Sequence, residues 1–287
     1  MTQPGPPETP GPPGTQGPPG YTGRRRRQVA RLATQALPGA VLLGLLALTW
    51  QLVAVHNAYL VPRIGAIWDQ LVDNPREFVD AAGNTLQESA VGLGASFAVA
   101  FSLAIVMSHI RVIERAVMPV AVVINVTPVV SLAPGLAVAL GFGMASRYLV
   151  TGIIVFFPML INSLIGLRSV DPEALQYFAS LNASRLEVLL HLRIPSSLPF
   201  LFAAARICFP LSIIGAVVAE FSTAGTSNGL GSLIELASQQ GTSKSLPEVY
   251  AAIFCLALLG LSFTLAVTLV ERRLLSWHPA RATKVNA

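Results

Sequence analysis

The sequence predicts an all-α integral membrane protein of about six transmembrane helices, with a two-helix cytoplasmic loop between spans four and five. Three observations carry that prediction. Only 11% of the 287 residues are charged and 53% are hydrophobic, whereas a soluble domain carries roughly a quarter charged residues. Uncharged runs of roughly twenty residues recur, and a helix rising about 1.5 Å per residue needs that length to cross a hydrocarbon core ~30 Å thick. The net charge of +5 is not spread over a basic face. Most Lys and Arg flank apolar runs, a pattern of membrane topology and not of nucleic-acid binding.

Residues 1–30 read as a disordered, basic cytoplasmic tail. Pro and Gly dominate it, and GPPGTQGPPGYTG, Gly11 to Gly23, keeps a three-residue glycine period over too few triplets for a collagen helix. Arg24 to Arg27 then precede an apolar run, 36–55, that is too long for the hydrophobic region of a signal peptide and is read as the first span. Five further spans follow at about 89–108, 116–136, 148–167, 198–219 and 249–270, all within a transmembrane domain of residues 31–275, and 276–287 form a second cytoplasmic tail. The third span is unusual. Arg115 and Arg147 bound 31 uncharged residues containing Pro119, Pro128 and Pro134, too few for two spans and many for one. That predicts a broken helix plus an irregular segment around LAPGLAVALGFG, tolerated at membrane depth only under protein cover.

An even number of spans puts both termini on one side. That side holds fourteen of the nineteen Lys and Arg residues and the opposite loops hold four, so the positive-inside rule places both termini and the 169–197 loop in the cytoplasm of a multi-pass cell-membrane protein. In that loop Asp171 is a suitable N-cap, Pro172 fits the first helical position and Glu173 meets the helix dipole. Leu175, Phe178 and Leu181 share a helical face. Asn182 suits a chain reversal, because Asn tolerates the left-handed conformation. Ser184-Arg185-Leu186-Glu187 has the form of a capping box that opens a second helix, with an apolar edge of Leu186, Leu189 and Leu190, ended by Pro195 and Pro199. Helices held on lipid by themselves usually have strongly basic polar faces. This loop does not, which points to a surface that docks another protein.

Polar residues inside spans are the candidates for a transport pathway: Glu220, Asn125, Thr127 and Asn162. A carboxylate within a span costs ~2.5 kcal/mol or more at the midplane, so Glu220 reads as a cavity wall or gate, or else as a group paired with Arg147 or Lys244. Cys208 and Cys255 lie in apolar runs and define neither a disulfide framework nor a metal site. No nucleophile–base arrangement marks a catalytic centre. No G-x-x-x-x-G-K-[ST] cradle for phosphate is present, so the chain is not its own ATP-driven motor.

The loop resembles the cytoplasmic E-A-A-x-x-x-G-x9-I-x-L-P segment of permease subunits of binding-protein-dependent ABC importers. Asn182 stands at the glycine, with Ala183 after it; Gln176-Tyr177-Phe178 stand at E-A-A and Leu192-Arg193-Ile194-Pro195 at I-x-L-P. Gln176 cannot make the salt bridge of the family's glutamate, and Glu173, nearly a turn earlier, is the candidate replacement. GFGMASRYLVTGIIVFFPMLINSLIGLRSVDPE, Gly141 to Glu173, and IIGAVVAEFSTAGTSNGLG, Ile213 to Gly231, resemble the nitrate, sulfonate and taurine branch, which also includes permeases for pyrimidine-type vitamin precursors. The resemblance spans residues 60–272. It implies a type I importer transmembrane domain with no cofactor of its own, working as a pair (often a homodimer). ATPase subunits carrying ATP and Mg would grip the 169–197 loop at the docking residues Glu173 to Pro195 described above. A periplasmic or lipid-anchored binding protein would deliver a small sulfonate- or nitrate-like anion or a pyrimidine-type precursor. The other readings of the composition are an ion-coupled secondary transporter, which predicts internal repeats and several midplane carboxylates, and a membrane scaffold, which needs no polar residues in its spans.

Overall fold

The structure of the protein, a computed structural model, describes residues 21–57, 59, 61–223, 225, 228–242 and 245–274. Residues 1–20 of the expected tail 1–30, residues 276–287 and Lys244 lie outside the described residues; residues 21–30, expected to be disordered, belong instead to a helix. The described residues form α1 (Tyr21–His56), α2 (Ile64–Asp73), α3 (Pro75–His109), α4 (Arg111–Val126), α5 (Val129–Leu140), α6 (Met144–Arg168), α7 (Pro172–Ser180), α8 (Arg185–Val188), a π-turn (Leu189–Arg193), α9 (Ile194–Ser222), α10 (Leu230–Gln239) and α11 (Leu246–Leu274). No strand occurs among them. Residues 1–56 and 57–287 are separate compact units. The first contributes α1, an apolar helix that opens at Tyr21, so Arg24 to Arg27 lie in its first two turns.

Five helices are long and apolar enough to cross a membrane, and six spans result if α4 and α5 are one. The second unit is built on α3, α6 and α9. Leu93, Ala100, Ala104 and Met107 of α3, Val155, Met159, Leu160 and Leu164 of α6, and Ala204 and Cys208 of α9 share one buried cluster. Small residues let these helices approach closely, as membrane interfaces require when no hydrophobic driving force separates helix from lipid. A Cβ at Gly92 of α3 would lie 2.6 Å from Thr151 Cβ on α6, and one at Gly215 of α9 would lie 3.0 Å from Thr151 Cα. At the far end of α3 from the 169–197 loop, a second cluster gathers Phe78 and Ala81 of α3, Ile67 and Leu71 of α2, Leu230 of α10, and Ala251 and Ala252 of α11.

Four expectations are corrected. The segment LAPGLAVALGFG is not irregular: it is helical through Leu140 and leaves the helix only at Gly141, whose φ of +86° suits glycine. The break lies earlier, at Thr127 and Pro128, where α4 and α5 bend by 99°. Pro128 supplies the reason, since the residue before a proline is pushed to extended backbone and Thr127 has φ −73°, ψ 127°. The second span starts at Pro75 and not near Ser89. Finally, Pro195 and Pro199 do not end a helix. From Arg185 the chain remains helical to Ser222, because a π-turn at Leu189–Arg193 widens the backbone ahead of Pro195, which occupies the first turn of α9. The segment 220–248, which joins the last two spans, contains α10.

Candidate functional site

Local chemistry builds the 169–197 hairpin as its spacing predicts. The Asp171 carboxylate accepts the Glu173 N–H at 2.9 Å, capping α7. Asn182 is the one non-glycine residue with positive φ among the described residues, at 52°. The reversal it makes is followed by a complete capping box: the Ser184 N–H donates to Glu187 Oε2 at 2.6 Å and the Glu187 N–H to Ser184 Oγ at 3.3 Å. The hairpin exposes Tyr177, Leu181, Leu186 and Leu190, each at least half accessible. Gln176, Glu173 and Arg185 are also exposed, whereas Phe178, Ala183 and Pro195 are half-buried. Leu189 departs from the expected apolar edge. It packs inward against the cluster of α3, α6 and α9, so the outward apolar surface is Leu186 and Leu190.

The base of the hairpin is tied to the bundle. Arg168, the last residue of α6, donates both guanidinium nitrogens to the Glu114 carboxylate of α4, at 2.8 and 2.6 Å, and a further bond to the Met107 carbonyl of α3 at 3.2 Å. One side chain thus joins the ends of three helices where the hairpin begins, with the bidentate geometry that arginine favours.

Toward the other end, the sequence-predicted Glu220 is fully buried. Its carboxylate accepts the Thr85 hydroxyl at 2.7 Å and the backbone N–H groups of Gly231 at 2.6 Å and Ser232 at 3.3 Å. Those amides open α10, so Glu220 neutralises the positive end of that helix. Thr85 also accepts the Leu230 N–H at 2.9 Å. Gly229 and Gly231 make room for the acid, since a Cβ at Gly229 would overlap the carboxyl group and one at Gly231 would lie 2.7 Å from Glu220 Oε2. Arg147 does not serve as Glu220's ion pair. It bonds Glu88 of α3, a residue the sequence reading placed in a loop. Ser89 and Ser212 complete the polar seam at 3.0 Å. Within it, Glu88 Oε2, Arg147 Nε and Thr151 Oγ1 are buried without a hydrogen-bond partner.

The other pathway candidates are not gathered with Glu220. Asn162 donates to the Pro158 carbonyl of its own helix at 2.7 Å and Thr127 to Val123 at the α4–α5 break, also at 2.7 Å, while Asn125 is exposed on α4. A cleft of about 560 Å³ between α3, α9 and α11 is walled by Leu93, Phe97, Phe202, Phe209 and Phe263, and none of the four candidates lines it.

Five to six helices able to span a membrane, with a capped hairpin tied to three helix ends by Arg168, define a polytopic membrane subunit. The chain belongs to the family of binding-protein-dependent transport system inner membrane components, which matches residues 90–276. It is 31% identical over 247 residues to the formylaminopyrimidine transport permease protein ThiX of Halalkalibacterium halodurans, covering 85% of this chain and 97% of that one. It is 33% identical over 171 residues to the riboflavin transport system permease protein RibX of Chloroflexus aurantiacus, covering 60% and 62%. To the taurine transport system permease protein TauC of Escherichia coli it is 30% identical over 138 residues, 48% of each chain. The protein is an inner-membrane, multi-pass permease subunit of an ABC importer.

Proposed function

We propose that this permease moves a pyrimidine-type vitamin precursor into the cell, driven by separate ATPase subunits that bind ATP and Mg and dock on the 169–197 hairpin. The observation that carries the docking is the pre-formed reversal at Asn182, closed by the Ser184–Glu187 capping box, which holds Leu186 and Leu190 outward in one rigid geometry. Both termini are cytoplasmic in this reading, and a binding protein delivers cargo from the opposite side. Glu173, exposed on α7, supplies the acid that Gln176 lacks. A second copy of the chain covers α4 and α5. In support, this chain buries only Ala121, Ala133 and Ala137 of those helices, and a broken span at membrane depth needs protein around it. Asn125 and Thr127 lie on that bend and are the residues placed to line a pathway between copies; Asn162 and Glu220 serve from within the subunit.

Two facts favour a heterocycle over an anion. The ThiX relative spans nearly its whole length, and the buried cation Arg147 is matched by Glu88, so it offers little net positive field to an anionic cargo. The test is uptake into vesicles holding the permease with its ATPase, supplied with the delivery protein and a labelled formylaminopyrimidine. Uptake should require ATP inside and persist when ion gradients are collapsed. Uptake lost with the gradients would instead indicate an ion-coupled carrier, and competition by taurine or nitrate alone would move the cargo to the anion class.

A further inference from the structure

We infer that α2 is an interfacial anchor, seated by Trp68 and Val72 in the headgroup–acyl boundary of the leaflet at which α3 begins. The inference rests on the membrane spans and not on the cargo or the motor, so it stands or falls separately from the proposed function.

The ten residues IGAIWDQLVD are strongly amphipathic. At about 100° per residue, Ile67, Leu71, Trp68 and Val72 fall within an arc of roughly 140°, while Asp69, Gln70 and Asp73 occupy the rest. Half of that apolar arc is satisfied by the protein, since Ile67 and Leu71 pack beside Phe78, Ala81 and Leu230. The other half is not: Trp68 is 63% exposed and Val72 58%. The exposed edge continues onto α3 through Val79 and Leu86, seven residues apart on a helix that spans the membrane. Exposed apolar side chains thus stand on α2 and on the first turns of α3, the helix that follows it.

Three physical points choose the bilayer boundary as the occupant. α2 stops at Asn74, whose φ −124° and ψ 50° break it from α3, so this helix is a separate short element at the end of a span and not its continuation. A tryptophan ring with its polar N–H prefers that boundary to either water or hydrocarbon. A second copy of the chain is a poor fit, because an aromatic ring covers ~150–250 Å² and a stable protein interface buries roughly 1,200–2,000 Å². The polar arc carries Asp69 and Asp73, so attachment depends on apolar seating and not on anionic headgroups, and salt should leave it unchanged. Because Ile67 and Leu71 share a cluster with Leu230, whose N–H rests on Thr85, the anchor fixes α10 and the Glu220 seam relative to the membrane surface.

The test uses the full chain with Trp50 and Trp277 changed to Phe, leaving Trp68 as the only one of three tryptophans, in phosphatidylcholine vesicles with bromines placed at graded depths along the acyl chain. The expected result is a blue-shifted emission, quenched most by bromines next to the headgroup, weakly by aqueous iodide, and unaltered by added anionic lipid or salt. Strong iodide quenching with no effect of bromolipids overturns the proposal, as does quenching that is deepest at the bilayer centre. A spin label at Val72→Cys, in a chain with Cys208 and Cys255 changed to Ala, serves if the tryptophan variant does not fold. It should be more accessible to oxygen than to a water-soluble nickel chelate, with the order reversed at Asp73→Cys. Equal accessibility at the two sites contradicts the anchor.

Discussion

Thr85 serves two partners at once, donating to Glu220 and accepting from the first amide of α10. Changing Thr85→Val keeps the shape but leaves both partners short of a bond, which costs about 1–3 kcal/mol for a buried group. Thermal unfolding in detergent should fall accordingly, with α10 the first element to lose amide protection. Glu88→Gln should be worse, by ~3–5 kcal/mol, because it strands the Arg147 charge among apolar helices, and the double change Glu88→Gln with Arg147→Met should recover much of the loss. A double variant as unstable as the single one would mean that the pair is not the interaction lost. Only part of this seam was legible in the sequence. Glu220 stood out as a carboxylate in an apolar run, and Arg147 as a bounding cation. Glu88 was hidden because it borders an apolar run that starts at Ser89, where an acid reads as a loop residue, although α3 begins at Pro75, nearly four turns earlier than hydropathy implies. Thr85 gave no signal at all. Its role depends on Glu220, 135 positions away, and no spacing within either segment encodes that meeting.

At the scale of elements, the hairpin was the most readable feature because its determinants are local. An N-cap, a left-handed residue and a capping box each act over three or four residues, and the structure realises all three. The reversal predicts its own mutants. Asn182→Gly removes the cost of a positive φ and should preserve ATPase binding with stability equal or slightly raised, whereas the β-branched Asn182→Val should weaken both. Binding of a purified ATPase, measured alongside unfolding, checks the pair. The misreadings in this region came from proline. Pro195 and Pro199 were taken as stops, but Pro195 sits in the first turn of α9 just after the π-turn, and Pro199 is contained in the helix, which forgoes one internal bond there. The same residue type misled in the same direction at Pro134, read as part of an irregular segment but contained in the helix α5. Leu189 was misassigned because regular helical register ends at it, where the π-turn opens, and the leucine packs against the core.

For the whole molecule, hydropathy and charge sufficed to locate five helices able to cross a membrane, and a sixth span if the bent pair α4 and α5 is one, because the cost of burying a charge in hydrocarbon leaves few alternatives. What composition could not supply was the structure beyond the spans. α2 and α10 are ten-residue helices, too short for a hydropathy signal, and they gain their stability from one shared cluster with α3 and α11. The unit of residues 57–287 has a packed three-helix centre, a polar seam and a small helical layer at one end, and at the other a hairpin joined to three helix ends through Arg168. This arrangement suits a subunit that is pulled at one end and must transmit the movement through its core. The most direct measurement is co-purification of the full chain with the ATPase encoded nearest to its gene, alongside a Leu186→Asp, Leu190→Asp variant. Both leucines point away from the core, so the variant should insert and fold normally, and the complex should form with the unaltered chain and be lost with the variant. A complex that survives both changes, or an unaltered, folded chain that binds no ATPase, would contradict the assignment of the hairpin as the site where the motor docks.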